Sequence, residues 1–135
     1  MMRIITGTAK GARLETLEGD ATRPTAERTK QAIFNMLQFD IEGRKVLDLF
    51  GGSGQMALEA LSRGADSAYI ADASLEACEI IKKNARKTKL FEKVRLVTND
   101  YKSVIRSLSG RESFHLIFLD PPYKSDYLAM PSSVL

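Results

Sequence analysis

Four short apolar runs, Lys45–Phe50 (KVLDLF), Ser67–Asp72 (SAYIAD), Val94–Val97 and Phe114–Leu119 (FHLIFL), alternate with segments of helical spacing. Continuous apolar runs of this length read as strands buried on both faces. Between them lie residues 55–63 (QMALEALSR), a stretch capped by Ser74, and Tyr101–Leu108. In the Ser74-capped stretch, Leu75, Cys78, Ile81 and Ala85 share one face while Lys83, Arg86 and Lys87 project away. Strand, helix, strand, repeated in this way, builds a parallel sheet covered by helices, so the fold class is α/β.

Ahead of this core, residues 3–16 (RIITGTAKGARLET) read as two short strands about a turn punctuated by Gly7 and Gly11. Arg23-Pro24-Thr25 opens a helix with Thr25 as its N-cap, and Ala26, Ile33, Met36 and Leu37 recur at helical spacing to about Phe39. A chain of 135 residues accommodates one domain. We divide it into a hairpin and helix (1–40), a βαβ core (44–127) and an irregular tail (128–135). With 44% hydrophobic and 27% charged residues it is neither a disordered tail nor a disulfide scaffold.

No apolar run approaches the roughly 20 residues of a membrane span, and MMRIITGTAKGAR lacks a signal-peptide core. Cys78 is the single cysteine, which excludes an intrachain disulfide and a Cys-rich zinc site. His115 is the single histidine, which excludes a multi-His metal site and argues against a Ser-His-Asp triad. The expectation is a cytoplasmic chain without a metal.

The net charge of +3 is small but uneven. Lys82, Lys83, Arg86, Lys87, Lys89, Lys93 and Arg95 face one acid, Glu92, within their run, and Arg3, Lys10, Arg13, Arg23, Arg28 and Lys30 lie near the amino terminus. Such clusters attract phosphate backbones; a solvated helix face accounts equally well for the first of them.

Ligands of open parallel sheets bind beyond the carboxyl ends of the strands. Asp48-Leu-Phe-Gly-Gly52-Ser-Gly54 stands at such an end, where glycines admit close backbone approach and the next helix offers free N–H groups. A dinucleotide site favours G-x-G-x-x-G, whereas Gly52-x-Gly54 is followed by Ala57. The carboxylate of Asp48 suits a ligand ammonium and would repel a pyrophosphate. That combination fits S-adenosylmethionine, which ends in an amino acid. Asp72 ends the second strand near the spacing of a ribose-binding acid and can also cap the next helix. Asp100 can accept from an adenine amine or cap the helix from Tyr101.

Asp120-Pro121-Pro122-Tyr123 closes the last apolar run. Two prolines fix the backbone and remove two N–H donors, leaving carbonyls and the Asp120 carboxylate as acceptors. A rigid acceptor cluster suits a planar amine, and Tyr123 can stack on the heterocycle that carries it. A proline turn ending a strand is the plainer alternative.

Asp48–Gly54 with Asp120–Tyr123 resembles the class I S-adenosylmethionine-dependent amino-methyltransferases. DLFGGSGQMALEALSRGA (48–65), RIITGTAKGARL (3–14) and TRPTAERTKQAIFNML (22–37) resemble one branch of them, the bacterial small-subunit (16S) ribosomal RNA guanine-N2 methyltransferases. The resemblance implies a Rossmann-like three-layer sandwich with an N-terminal β-hairpin and helix extension. It implies that Asp48, Phe50, Gly51, Gly52, Ser53, Gly54, Asp72, Asn99 and Asp100 bind S-adenosylmethionine, and that Asp120, Pro121, Pro122 and Tyr123 hold the target guanine. Arg3, Lys10, Arg13, Arg23 and Arg28 become candidate contacts to ribosomal RNA in the small subunit. Members of that family continue well past this length, so C-terminal strands are expected to be missing, with weak or absent activity and self-association through the exposed sheet edge. Asp-Pro-Pro-Tyr also serves DNA adenine methyltransferases; only the amino-terminal strings favour ribosomal RNA. A non-catalytic RNA-binding remnant is the alternative of another class.

Overall fold

The computed structural model describes residues 2–16 and 26–119. It contains α1 (Ala26–Met36), β1 (Lys45–Asp48), α2 (Gln55–Ser62), β2 (Ser67–Asp72), α3 (Leu75–Lys87), β3 (Val94–Thr98), α4 (Tyr101–Leu108) and β4 (Leu116–Phe118), with a 3-10 turn at Phe91–Lys93. The strands pair in parallel in the order β3-β2-β1-β4. The chain steps outward from β1 to β3 and then crosses to the other side of β1. Strand order therefore reverses between β1 and β4, and a crevice opens beyond their carboxyl ends. Asp48 stands there, opposite Ile70 on one side and Phe118 on the other.

Alternation along the strands divides the core in two. Val46, Ala68 and Ile70 face α2 and α3, packing with Leu58, Leu61, Ile81 and Ala85. Leu47, Tyr69 and Ala71 face α4, packing with Val104 and Leu108. The central strands are thus buried on both sides, which is the physical reason their sequences are apolar without alternation. Sheet and helices form the three-layer α/β sandwich anticipated above. Among the described residues, no helix is long and apolar enough to cross a membrane.

The amino-terminal hairpin closes through a single antiparallel bridge, Arg3 opposite Arg13, with Ile4 N–H donating to the Ala12 carbonyl and Leu14 N–H to the Met2 carbonyl at 2.9 Å. Ile4 and Leu14 point into the α2-side core. Gly7 fits tightly over α2, since a Cβ there would fall 1.9 Å from the Ser62 carbonyl oxygen.

Two helix faces differ from the sequence expectation. Among the described side chains of α1 the buried ones are Lys30 and Phe34, while Met36 is 82% exposed. Leu37, on the expected face, does pack against this core, and Ile33 is half-buried, so of that apolar spacing it is Met36 that turns to solvent. In α3, Cys78, Ile81 and Ala85 are buried as expected, but Leu75 is 72% exposed. Leu75 is the first residue of the helix. Thr25, the expected cap of α1, lies outside the described residues.

Candidate functional site

The crevice is built from three strand ends. Asp48 is almost fully buried at the end of β1, and its Oδ1 accepts from Phe50 N–H at 3.3 Å. The backbone then turns sharply, with Gly51 N–H donating to the Ala71 carbonyl at 3.0 Å and Gly54 N–H to the Gly51 carbonyl at 2.7 Å. Gly51 is required by packing, because a Cβ would lie 2.5 Å from Ile70 Cγ2 and 2.9 Å from Ile81 Cδ1. Gly52 and Gly54 have φ of 59° and 83°, a region that other residues enter only at a cost. Gly52 faces open space on its Cβ side, so a ligand can approach its backbone. Gly54 caps α2 without a side-chain hydrogen bond, which leaves the helix start to be capped by something else.

Asp72, at the end of β2, braces this loop. Its Oδ2 accepts from Gly52 N–H and its Oδ1 from Ser74 N–H, both at 2.9 Å. The N-cap of α3 is Ser74, whose Oγ accepts from Ala77 N–H, so Asp72 does not cap the helix itself but holds its cap residue, and each of its oxygens keeps a further lone pair. Ser53 sits in the loop, but its hydroxyl donates to Met2 Sδ at 3.0 Å and its carbonyl accepts from Asn84 Nδ2 at 2.8 Å. Its side chain is turned toward the amino-terminal segment.

At the end of β3, Asn99 N–H donates to the Asp72 carbonyl at 3.1 Å, and Asn99 Oδ1 accepts from Asp100 N–H at 2.8 Å. Asp100 is the N-cap of α4, with Oδ1 accepting from Ser103 N–H at 2.8 Å and Oδ2 from Ser103 Oγ at 2.9 Å. The Ser103 backbone and hydroxyl hydrogen bonds hold its carboxyl below the usual range. The Phe50 and Tyr101 rings, which follow the ends of β1 and β3, meet at a tilt of 42° with centroids 5.3 Å apart. This set fits S-adenosylmethionine: a buried carboxylate for an ammonium, open glycine backbone, and a braced carboxylate for a diol. Among the described residues, no group of three or more His, Cys, Asp or Glu is placed to hold a metal ion.

Asp120, Pro121, Pro122 and Tyr123 lie outside the described residues, as does Arg23. The chain that leads to them is described: β4 runs beside β1, and Leu49 N–H donates to the Phe118 carbonyl at 3.3 Å. Arg3, Lys10, Arg13 and Arg28 are exposed. Arg3 and Arg13 sit opposite each other in the hairpin, and Arg3 Nε donates to Glu27 Oε1 at 2.7 Å. That hydrogen bond also lowers the Glu27 pKa.

Lys30 does not belong to this basic surface. It is 2% exposed, donates to the Arg3 carbonyl at 2.7 Å and pairs with Glu59 at 3.1 Å. Glu59 is fully buried; its Oε1 also accepts from Ile5 N–H at 2.8 Å, and its Oε2 from Thr6 N–H at 3.0 Å and Arg63 Nε at 2.9 Å. Asn84 does similar work on α3, exchanging two hydrogen bonds with the Glu15 backbone while it donates to Ser53. Sequence reasoning missed both residues. The available signal for Glu59 was the run Met56–Leu61, in which it is the one charged residue among Met, Ala and Leu.

The family model described as Conserved hypothetical protein 95 matches residues 2–134. A Bacillus subtilis protein named "Putative rRNA methyltransferase YlbH" is 39% identical over 128 residues, covering 94% of this chain and 70% of that one. Ribosomal RNA small subunit methyltransferase D of Haemophilus influenzae is 30% identical over 135 residues, covering 99% and 70%. The solved structure titled "Putative methyltransferase yhhF from Escherichia coli" superposes with a TM-score of 0.79 at 28% identity, covering 91% of this chain and 64% of that chain. The chain thus spans about two thirds of the length of these relatives.

Proposed function

The chain belongs to the conserved hypothetical protein 95 family, alongside relatives named as ribosomal RNA methyltransferases, and from that premise we propose that it methylates the exocyclic N2 of a guanine in small-subunit ribosomal RNA, in the cytoplasm, using S-adenosylmethionine. The observation that carries the reading is the pairing of Asp48 with Phe118 at the strand-order reversal. It sets the glycine loop beside the point from which the chain enters Asp-Pro-Pro-Tyr.

In this reading Asp48 receives the ligand's ammonium, and the Gly52–Gly54 backbone with the start of α2 holds its carboxylate. Asp72 accepts the ribose hydroxyls while keeping its bonds to Gly52 and Ser74. Asn99 and Asp100 border the adenine, and Phe50 supplies an apolar wall. S-adenosylmethionine, when bound, supplies a methyl group already activated by its sulfonium. The protein's remaining task is to present a poor nucleophile, because the guanine amine is conjugated with its ring. Asp120 and the Pro121 carbonyl accept hydrogen bonds from the amine, which orients its nitrogen and favours loss of that conjugation, while Pro122 restricts the backbone and Tyr123 stacks on the base. Positioning and charge placement of this kind carry most of the catalysis.

Calorimetric titration of S-adenosylmethionine into the chain, with Asp48→Ala and Asp72→Asn alongside, tests the cofactor half. We expect micromolar binding, abolished by the first variant and weakened roughly 10- to 100-fold by the second, in line with loss of charge-assisted hydrogen bonds. Methyl transfer to small subunits lacking the modification, followed by nucleoside analysis, tests the other half. N2-methylguanosine supports the proposal; methyladenine in DNA would favour the adenine reading. Salt-sensitive RNA binding without transfer would favour the non-catalytic one.

A further inference from the structure

We propose that the outer surface of the C-terminal half of α3 and the 3-10 turn after it is a second docking surface for the phosphate backbone of the RNA, distinct from the amino-terminal hairpin. The proposal deepens the RNA reading above and rests on it. Lys83, Arg86, Lys87, Lys89 and Lys93 are all exposed. Among the described residues, none of them enters an ion pair. The helix dipole rewards cations in the last turn, which accounts for Arg86 and Lys87. It does not account for Lys83 or Lys93, and the acid within this run is Glu92 alone.

Two further observations point to a ligand. The guanidinium of Arg86 lies over the ring of Phe91 at 4.9 Å, and Phe91 remains 42% exposed. A guanidinium stacked on an aromatic ring offers a flat cationic surface suited to nucleic acid. Lys89 is the one non-glycine residue with positive φ among the described residues, at 63°. It occupies the position just past the C-cap of α3, where Lys89 N–H donates to the Arg86 carbonyl and Leu90 N–H to the Ala85 carbonyl. Glycine is the usual residue in this motif because it adopts the conformation without steric cost. A lysine held there gives up conformational ease for a charge at the centre of the cluster.

The location defines what the surface would contact. α3 begins beside Asp72 and, with 13 residues, carries its last turn roughly 20 Å from the crevice. Val94, next to Lys93, pairs with Ala68 near the start of β2, at the end of the sheet away from the glycine loop. The surface therefore engages RNA remote from the target base and contributes to docking, not to the chemical step. A membrane surface would require a broad apolar face beside the cations, and the cluster offers only Phe91.

The test is fluorescence anisotropy of the full chain with a labelled structured fragment of small-subunit ribosomal RNA, across roughly 50 to 200 mM salt. The triple variant Lys83→Gln/Lys87→Gln/Lys93→Gln is expected to lower the salt slope by about one per lysine and weaken binding at every salt concentration. Its affinity for S-adenosylmethionine should be unchanged. Lys89→Gly is expected to raise the melting temperature and weaken RNA binding together; a purely structural lysine would give the first without the second. A triple variant with wild-type affinity and slope, in a chain whose RNA binding falls with Arg3→Ala/Arg13→Ala, overturns this proposal alone. Variants that lose binding to phosphatidylserine vesicles but not to RNA overturn it in favour of a membrane. A wild-type chain that binds S-adenosylmethionine but no RNA overturns the RNA reading itself.

Discussion

Lys30 Nζ lies 3.1 Å from Glu59 Oε1, and both side chains are withdrawn from solvent. The pair joins three elements: α1 through Lys30, α2 through Glu59, and the hairpin through the Arg3 carbonyl and the Ile5 and Thr6 amides. The segment that carries Arg3 and Arg13 is thereby fixed to the helix that follows the glycine loop. Removing one member of a buried pair strands the other, which costs about 3–5 kcal/mol. Glu59→Ala should lose about that much in urea unfolding, a large share of the roughly 5–15 kcal/mol that holds such a domain together. Lys30→Met/Glu59→Gln should lose less than the sum of the single variants.

Lys30 also gives the stability a pH dependence of definite sign. Burial lowers its pKa from 10.5, against the pull of Glu59. Between the lowered folded value and 10.5 the unfolded chain holds more protons than the folded one, so stability contributed at this site rises with pH across that window. Thermal melts taken up the alkaline limb should show this rise in the wild type relative to Lys30→Met. Parallel curves for the two proteins would refute the assignment.

The strand–helix alternation was legible because β1 and β2 are covered on both faces, and continuous apolar runs are what such strands require. Ser74 and Asp100 were legible as caps because capping is decided within one turn. Glu59, Lys30 and Asn84 were not, because their burial exists only once the hairpin, distant in sequence, has folded over α2 and α3. Met36 failed for a related reason: spacing marks the face that carries Leu37, but what packs against the helix decides how far round it burial extends. The crevice could be placed from Asp48 and the glycines, whereas the bracing of Gly52 by Asp72 depends on the pairing of β1 with β2.

Gly51 and Gly52 separate packing from conformation. Gly51→Ala drives a methyl group into Ile70 and Ile81, an overpacking worth about 1–3 kcal/mol, and should push the loop off β2. Gly52→Ala meets no atom within 4 Å but must hold φ near 59°, at about 1 kcal/mol. We expect both to weaken S-adenosylmethionine binding, with Gly51→Ala showing the larger fall in unfolding midpoint. Equal midpoints would show that the loop can retreat from Ile70 at no cost.

Asp100 should make α4 acid-sensitive. Its folded pKa lies below the usual 3.8 because Ser103 donates to the charged form, so its contribution is complete above that value and is lost as pH falls through the folded pKa. Asparagine also caps helices well. Asp100→Asn should therefore keep α4 at neutral pH while flattening this part of the acid limb, and Asp100→Ala should weaken the helix at every pH. Circular dichroism across the acid range reads both.

Asn84 links the hairpin segment to the glycine loop. Its Nδ2 donates to the carbonyls of Glu15 and Ser53 and its Oδ1 accepts from Glu15 N–H, so one side chain holds the end of the hairpin segment against the loop that follows β1. It is fully buried, and Asn84→Ala would leave three backbone groups to find other partners at about 1–3 kcal/mol for each left unpaired. Some of that loss should appear in the loop, since the Ser53 carbonyl lies between Gly52 and Gly54. The expected result is weaker S-adenosylmethionine binding together with faster hydrogen exchange at Glu15, in a protein that still folds. An unchanged cofactor affinity with loosening confined to Glu15 would show that the hairpin segment and the glycine loop are neighbours without being coupled.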